Sequence, residues 1–575
     1  MIPVHAAAGK NTKNAAEHRI YKALLSVAGL YLYHFMIEFS ERGCWQMDHY
    51  KYPYLNRRFS VYAKNGMVAT THPVATEAGI EMLKRGGNAM DAAIATAAAL
   101  TVVEPTSNGI GGDAFMIAWM DGSLHGMNAS GRSPRTLSME EIRSRGYSEM
   151  PKYGWLPVNV PGVPAAWASL IGKFGKLTLK EVLTPAIRAA KDGFAITPTV
   201  ARYWRTAYKN FSREVENFEE IRPWLEIFGN VEAGEIRTLP YHADTLVEIA
   251  ETEAKSVYEG ALADRIVEYS KRTGGLITHE DLKNFEIDYV DPVSVDYKGY
   301  DIHEIPPNGQ GITALMALGM LKDDEFRHLD EEAYHYQIEA IKQAFADTTT
   351  FVADRDHMTV SGKDLLEPGY LERRRTEIGG SAALREHGDL PRGGTVYLAT
   401  ADGEGNMVSY IQSNYMGFGS GVVIPETGLA LHNRGHSFSM DENNPNYVGG
   451  GKRSFHTIIP GFITKGGKPV GPFGVMGGFM QPQGHLQVAM NLIDYGMNPQ
   501  SALDAPRWQF KSGMEVEVED RFDHDIARSL ARRGHRISVN LEPNSFGRGQ
   551  IIIRGKDGVL IGGSESRTDG SISIY

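Results

Sequence analysis

The chain has 575 residues with 42% apolar and 22% charged side chains, ordinary globular usage that excludes a mostly disordered protein. Its formal charge of −11 and the lack of a basic stripe with interleaved aromatics speak against nucleic-acid and anionic-membrane binding. A single cysteine, Cys44, excludes an internal disulfide and any cysteine-based zinc or CxxC centre, and fits a reducing compartment.

At the N-terminus an apolar run, residues 23–37, follows Lys10, Lys13, Arg19 and Lys22. It is short for a membrane span of about 20 residues and no A-x-A-like cleavage site follows it. Residues 1–56 therefore read as a leader or non-core extension, with Met47 as an alternative start. Translation from Met47 favours a cytoplasmic protein, whereas a working signal in residues 1–46 implies secretion or anchoring.

Residues 61–71 predict strand, turn and strand, with the turn at Asn65-Gly66. Thr76 suits a helix N-cap and Gly86-Gly87 the matching stop. The Ala-rich, nearly uncharged stretch 89–103 predicts a helix buried on most sides, ended by Pro105 and followed by the Gly-rich loop SNGIGGD. Residues 111–130 predict a hairpin turning at Asp121-Gly122. Residues 150–290 are mainly helical, 291–306 predict a strand pair, and PPNGQGITAL leads into a helix. A charged amphipathic helix is expected over 329–355. Near residue 380 a small, polar stretch, GGSAALREHGDLPRGG, predicts an exposed linker. From Thr395 the pattern turns strand-rich: a hairpin around residues 402–406, a strand pair from 453, then a helix over HLQVAMNLIDYG. Helices and antiparallel strands in separate blocks predict an α+β fold of layered sheets and helices.

Familiar motifs fail. No GxGxxG sits between a strand and a helix, GFITKGGK has its Lys one place late for a phosphate loop, and no HExxH is present. Phe418-Gly419-Ser420-Gly421 lacks the first Gly of a nucleophile elbow. No metal ligand set and no cofactor are called for.

What carries chemistry is Gly393-Gly394-Thr395. A Thr opening a strand after a Gly-ended linker suits autocatalytic cleavage, in which its hydroxyl attacks the preceding carbonyl. The new α-amine, with a pKa near 8, can then act as base for the adjacent hydroxyl. Met476-Gly477-Gly478 offers consecutive backbone N–H groups that can converge on an oxyanion.

These residues, together with LKRGGNAMDAAIA, TVVEPTSNGIGGDAF, VNVPGVPAAW, IPPNGQGI, FADTTTFVADRD, FGSG, ETGLALHNR, GKRSFHTIIP and VMGG, resemble the γ-glutamyltransferase family of N-terminal-nucleophile hydrolases over about 60–575. The resemblance implies a four-layer αββα sandwich made as one precursor, with a helix-rich N-terminal part. It implies cleavage between Gly394 and Thr395 into a large subunit, 57–394, and a strand-rich small subunit, 395–575. Thr395 would be nucleophile for self-cleavage and catalysis, Gly477 and Gly478 the oxyanion hole, and Ser413, beside Asn414, a second hydroxyl contacting the nucleophile.

At the substrate pocket the pattern departs from the family. Where an R-E-x-A-P motif holds the substrate carboxylate, this chain has Ser130-Gly131-Arg132-Ser133-Pro134. Where an acid after N-N-Q-M-D holds the α-amine, it has His432-Asn433-Arg434-Gly435-His436-Ser437, so Ser437 replaces the acid. A paired Ser-Ser aligns with His456-Thr457. Arg132, Arg434, Arg453 and His456 make the expected pocket more cationic, favouring acyl groups with a carboxylate but no α-amine. Arg132 has the bland alternative of a surface ion pair, and His456 that of a core histidine. The pattern NASGRSP…LHNRG looks like the bacterial glutathione-hydrolase-like and cephalosporin-acylase-like subgroup.

The expected function is transfer of a γ-glutamyl, glutathione-type acyl group onto Thr395 and then to water or an amine, with Arg132, Asn433, Arg434, Ser437, His456 and Thr457 around the substrate. A cephalosporin, glutaryl or oxamate-type amidohydrolase is the alternative. A second alternative is an uncleaved homologue that binds small acids without catalysis. The expected partners are a small-molecule amide and the two pieces of the chain's own precursor; self-association is left open.

Overall fold

The computed structural model describes Tyr54, residues 58–385 and residues 394–575. The expected leader, Tyr54 apart, and the linker residues 386–393 lie outside the described residues. Two seven-stranded antiparallel sheets form the centre. One runs Ser571–Ile574, Gly66–Thr70, Gly394–Asp402, Met407–Tyr415, Asp113–Met120, Ser123–Ala129 and Asp288–Val290. The other runs Val61–Ala63, Leu560–Ser564, Arg548–Arg554, Lys468–Met476, Gly461–Lys465, Tyr300–Glu304 and Val293–Tyr297.

The two-residue period of a strand decides which core each side chain joins. On Gly394–Asp402, Tyr397, Ala399 and Ala401 enter a core with Phe462, Met476, Ile552 and Leu560 of the opposite sheet. Val396 and Leu398 enter a second core with the helices Ala89–Val103 and Val163–Phe174. Helices Gly311–Leu321 and Met480–Ile493 pack on the other sheet. The result is the expected αββα layering.

Helix Ala89–Val103 has the predicted bounds, and every residue in it is buried. Asn88 and Asp91 close its start as a reciprocal capping box. The hairpin over 111–130 forms, with Asp121 and Gly122 both at positive φ, 51° and 80°, as a tight two-residue turn requires.

Several local expectations are corrected. Strands Val61–Ala63 and Gly66–Thr70 exist but are not a hairpin: the first pairs with Leu560–Ser564, the second with Gly394–Asp402 and Ser571–Ile574. The Asn65 and Gly66 N–H groups both reach Tyr575 O at 3.0 Å, so this turn carries the chain between sheets. The helix expected from Thr76 starts at Pro73, capped by His72, whose Nδ1 accepts from Val74 N–H at 3.2 Å; Pro at the first helical position was the stronger start signal. The pair expected from 453 begins only at Gly461, and the following helix begins at Met480 rather than His485. The charged amphipathic helix expected over 329–355 forms as Glu331–Phe351, and two of its charges, Glu339 and Lys342, are fully buried and paired at 2.6 Å. Among the described residues no helix is long and apolar enough to cross a membrane.

Candidate active site

Gly394 pairs with Tyr415 and Val396 with Gln412, so Ser413 and Asn414 together oppose Thr395. This β-bulge turns the Thr395 end of the strand out of regular pairing. Thr395 is buried, and its Oγ1 lies 3.1 Å from Ser413 Oγ. Ser413 Oγ donates to the Gly394 carbonyl oxygen at 2.8 Å and accepts from Tyr415 N–H at 2.8 Å. A hydroxyl has one proton, so Thr395 is the donor in its contact with Ser413. A chain of donors therefore runs from Thr395 through Ser413 to the carbonyl of the peptide bond that precedes Thr395.

Gly477 and Gly478 follow strand Lys468–Met476 with φ of 141° and 62°, a conformation L side chains rarely adopt. Their carbonyls face the start of helix Met480–Ile493, accepting from Met480 N–H and Gln481 N–H at 3.1 Å each. Gln310 Nε2 donates to Gly478 O at 2.9 Å and to Thr457 O at 2.7 Å. Among the described residues neither glycine N–H has an acceptor. Two free N–H groups at a helix start suit an anionic oxygen. Gly394 and Gly477 line one cavity of about 240 Å³.

Directly across the ladder from Ser413 stands Asp113, which the sequence analysis did not single out. Arg434 grips it with Nε at 2.8 Å and Nη2 at 3.1 Å, donates from Nη1 to Thr457 Oγ1 at 2.7 Å, and lies over the Tyr415 ring at 4.4 Å. His456 Nε2 lies 2.8 Å from Asp113 Oδ2, while its Nδ1 accepts from Ile458 N–H at 3.3 Å. Burial opposes ionisation of Asp113, but Arg434 and His456 outweigh it and hold the carboxyl well below the usual range. Burial lowers His456 and His432 to about 4. At neutral pH the cluster is thus one carboxylate, one guanidinium and two neutral imidazoles.

The remaining expected residues fall into two groups. Asn433, Ser437 and Thr457 sit with the Arg434 cluster. Asn433 Oδ1 accepts from Met416 N–H at 3.1 Å and its Nδ2 donates to Lys152 O at 3.0 Å. The Ser437 hydroxyl lies between the carbonyls of Arg434 and Phe455, at 2.8 and 2.7 Å. Arg132 and Arg453 instead line a separate cavity of about 280 Å³ with Ser130, which neither Thr395 nor Gly477 lines. Arg132 is 41% exposed and pairs with Asp354 at 2.7 Å, the bland alternative. Arg453 pairs with Asp288 and donates to Ser130 O at 2.8 Å. The expected cationic pocket is therefore corrected: Asp113, Asp354 and Asp288 each neutralise one of its arginines, and His456 is uncharged. Among the described residues no group of His, Cys, Asp and Glu is arranged to hold a metal.

The buried histidines fix the pH response. His72, His242, His432 and His456 are lowered to about 4, each chiefly by burial. Between about 6.5 and 4 the unfolded chain binds more protons than the folded one at these sites, so stability falls as pH falls through that window. Thermal or urea unfolding followed from pH 7 to 4 should show a steady decline; a flat profile would refute neutral burial of these rings.

Comparison with known proteins bears on the family and the fold. Residues 75–575 match the family model described as gamma-glutamyltranspeptidase. A solved cephalosporin acylase from Bacillus halodurans is 54% identical and superposes with a TM-score of 0.88, covering 92% of this chain and 99% of that one. A Bacillus subtilis glutathione hydrolase-like proenzyme is 35% identical over 530 residues, 89% of this chain and 99% of the relative. The Escherichia coli glutathione hydrolase proenzyme is 30% identical over 536 residues, 88% of this chain and 91% of the relative.

Proposed function

The chain belongs to the gamma-glutamyltranspeptidase family, and from that premise we propose that it is a self-processing amide hydrolase and acyltransferase whose nucleophile is Thr395. The observation that carries the proposal is the donor chain from Thr395 Oγ1 through Ser413 Oγ to Gly394 O. Thr395 Oγ1 attacks the Gly394 carbonyl carbon while Ser413 stabilises the charge developing on its oxygen. The Gly394–Thr395 C–N bond breaks, the α-amine takes up a proton, and Gly394 is left as an ester on Thr395. Water then hydrolyses the ester and frees Gly394 as a carboxylate.

In turnover the α-amine of Thr395 accepts the hydroxyl proton as Oγ1 attacks the substrate amide, then returns it to the departing amine. Gly477 and Gly478 N–H groups stabilise the tetrahedral oxygen. The acyl group passes from Thr395 to water or to a second amine. Cleavage into 57–394 and 395–575 does not separate the pieces. Strand Gly394–Asp402 lies beside Gly66–Thr70 in one sheet, and Gly461–Lys465 beside Tyr300–Glu304 in the other, so each sheet is shared.

For the acyl donor the side chains favour a group with a distal carboxylate and no α-ammonium, such as glutaryl. Ser437 stands where the family resemblance expects an acid, its hydroxyl is engaged by two carbonyls, and the nearby Asp113 is spent on Arg434. Among the described residues an ammonium would find no free carboxylate there. The likeness to a cephalosporin acylase supports an amide donor other than a γ-glutamyl compound, while γ-glutamyl transfer, supported by the glutathione hydrolase relatives, is the second reading. Protein processed at Gly394/Thr395 should release 4-nitroaniline from the glutaryl anilide with at least about tenfold higher kcat/KM than from the L-γ-glutamyl anilide, the worth of about one charge-assisted hydrogen bond. The reverse ratio would overturn the donor preference, and release from neither would overturn the activity.

A further inference from the structure

With Arg132, Arg434 and Arg453 each paired to an aspartate, the substrate carboxylate needs another partner. The cavity shared by Gly394 and Gly477 supplies one. Its lining includes Arg548, Lys152, Tyr203, Asn210 and Ser107, and no carboxylate. Arg548 is 5% exposed, and its Nη1 meets Glu104 Oε1 at 3.2 Å from behind. Its ring partner is Tyr203, whose centroid lies 5.5 Å from the guanidinium carbon. Among the described residues its other guanidinium N–H groups have no acceptor, although an arginine carries five. Lys152, exposed at the rim, lies over the Tyr153 ring at 5.0 Å and has no carboxylate partner among the described residues. Both cations line the cavity, and a carboxylate arriving there would give these donors an acceptor and a counter-charge.

We propose that Arg548, with Lys152 at the rim, binds a carboxylate of the substrate beside the scissile amide. The assignment rests on Thr395 and Gly477 forming the reacting centre, since the cavity is shared with Gly394 and Gly477. It adds a specificity site that neither the motif pattern nor the Asp113 cluster provides. The carboxylate can belong to the acyl half or to the departing amine, and the two sources are separable with matched donors.

The donors are butyryl 4-nitroanilide as neutral reference, glutaryl 4-nitroanilide with the carboxylate in the acyl half, and butyryl 3-carboxy-4-nitroanilide with it in the leaving half. Lys152→Met is the mild variant. Glu104→Gln with Arg548→Met removes the buried charges together, so that neither is left alone. The quantity read is the kcat/KM preference for each carboxylate donor over the neutral one. That preference should fall about tenfold in Lys152→Met and about a hundredfold in the double variant. A fall with the glutaryl donor assigns the acyl half, and a fall with the carboxyanilide assigns the leaving half. Unchanged preference for both overturns the site. Binding of free glutarate, measured by calorimetry, tests it without turnover: Kd should rise about tenfold in Lys152→Met, and an equal Kd in variant and wild type overturns it. A wild-type protein that binds glutarate but turns over no donor would instead sink the assignment of Thr395.

Discussion

Thr395→Ala is expected to yield one uncut chain on intact-mass analysis, where the wild type yields a piece ending at Gly394 and a piece beginning at Thr395. The variant keeps Ser413 and its bond to Gly394 O but has no atom to attack the carbonyl carbon. Turnover should fall on the order of 10⁶-fold, the scale on which acyl-transfer enzymes lose rate with their nucleophile. The two losses must be read apart, because an uncut chain also lacks the free α-amine. Co-expressing the pieces 57–394 and 395–575, the second carrying Thr395→Ala and trimmed of its initiator Met, supplies the amine without the hydroxyl. The shared sheets make such reassembly physically reasonable, since each piece lacks strands that only the other provides. Cleavage in the single-chain variant would remove Thr395 from self-processing, and turnover by the co-expressed variant would remove it from catalysis. Thr395→Ser keeps a hydroxyl and should still cut, more slowly.

What could be foreseen from sequence divides along the range of the interactions involved. Helix Ala89–Val103 and the hairpin from Gly394 to Tyr415 declare themselves through composition and period, which are local properties. The split of residues 61–70 between two sheets does not, because Asn65-Gly66 is the same turn signal whether its strands pair with each other or with Leu560–Ser564 and Gly394–Asp402. Within the site, Thr395 and the Gly477-Gly478 pair stand out because the motif surrounding each is contiguous. Asp113 and Arg548 do not. Asp113 meets Arg434 from 321 residues away, and Arg548 meets Glu104 from 444 away, distances over which residue type and spacing carry no signal. The same gap explains the cationic pocket that the structure does not contain: arginines are visible in a sequence, but their counter-ions are supplied by folding.

Asp113→Asn should be among the most destabilising single changes available in this protein. It removes the counter-charge of an arginine that is 1% exposed and cannot turn to water. Breaking a buried pair from one side costs about 3–5 kcal/mol, whereas replacing both members by apolar groups is often close to neutral. Urea unfolding should therefore show a large loss for Asp113→Asn and a much smaller one for Asp113→Leu with Arg434→Met. The pH dependence of that loss tests the charge states around it. The folded Asp113 carboxyl is held below its unfolded value, so its contribution is complete above the unfolded pKa of about 3.9 and disappears only as pH falls through the lower, folded value. Between pH 8 and 5 the gap between wild type and Asp113→Asn should accordingly stay constant, even though both proteins weaken as pH falls below 6.5 and the buried histidines resist protonation. A gap that widens as pH falls through 6.5 would mean that His456 gains its proton in the folded wild type and not in the variant. The cluster beside Ser413 would then be an ionised His456–Asp113 pair, rather than a closed arginine–carboxylate clamp with a neutral ring against it.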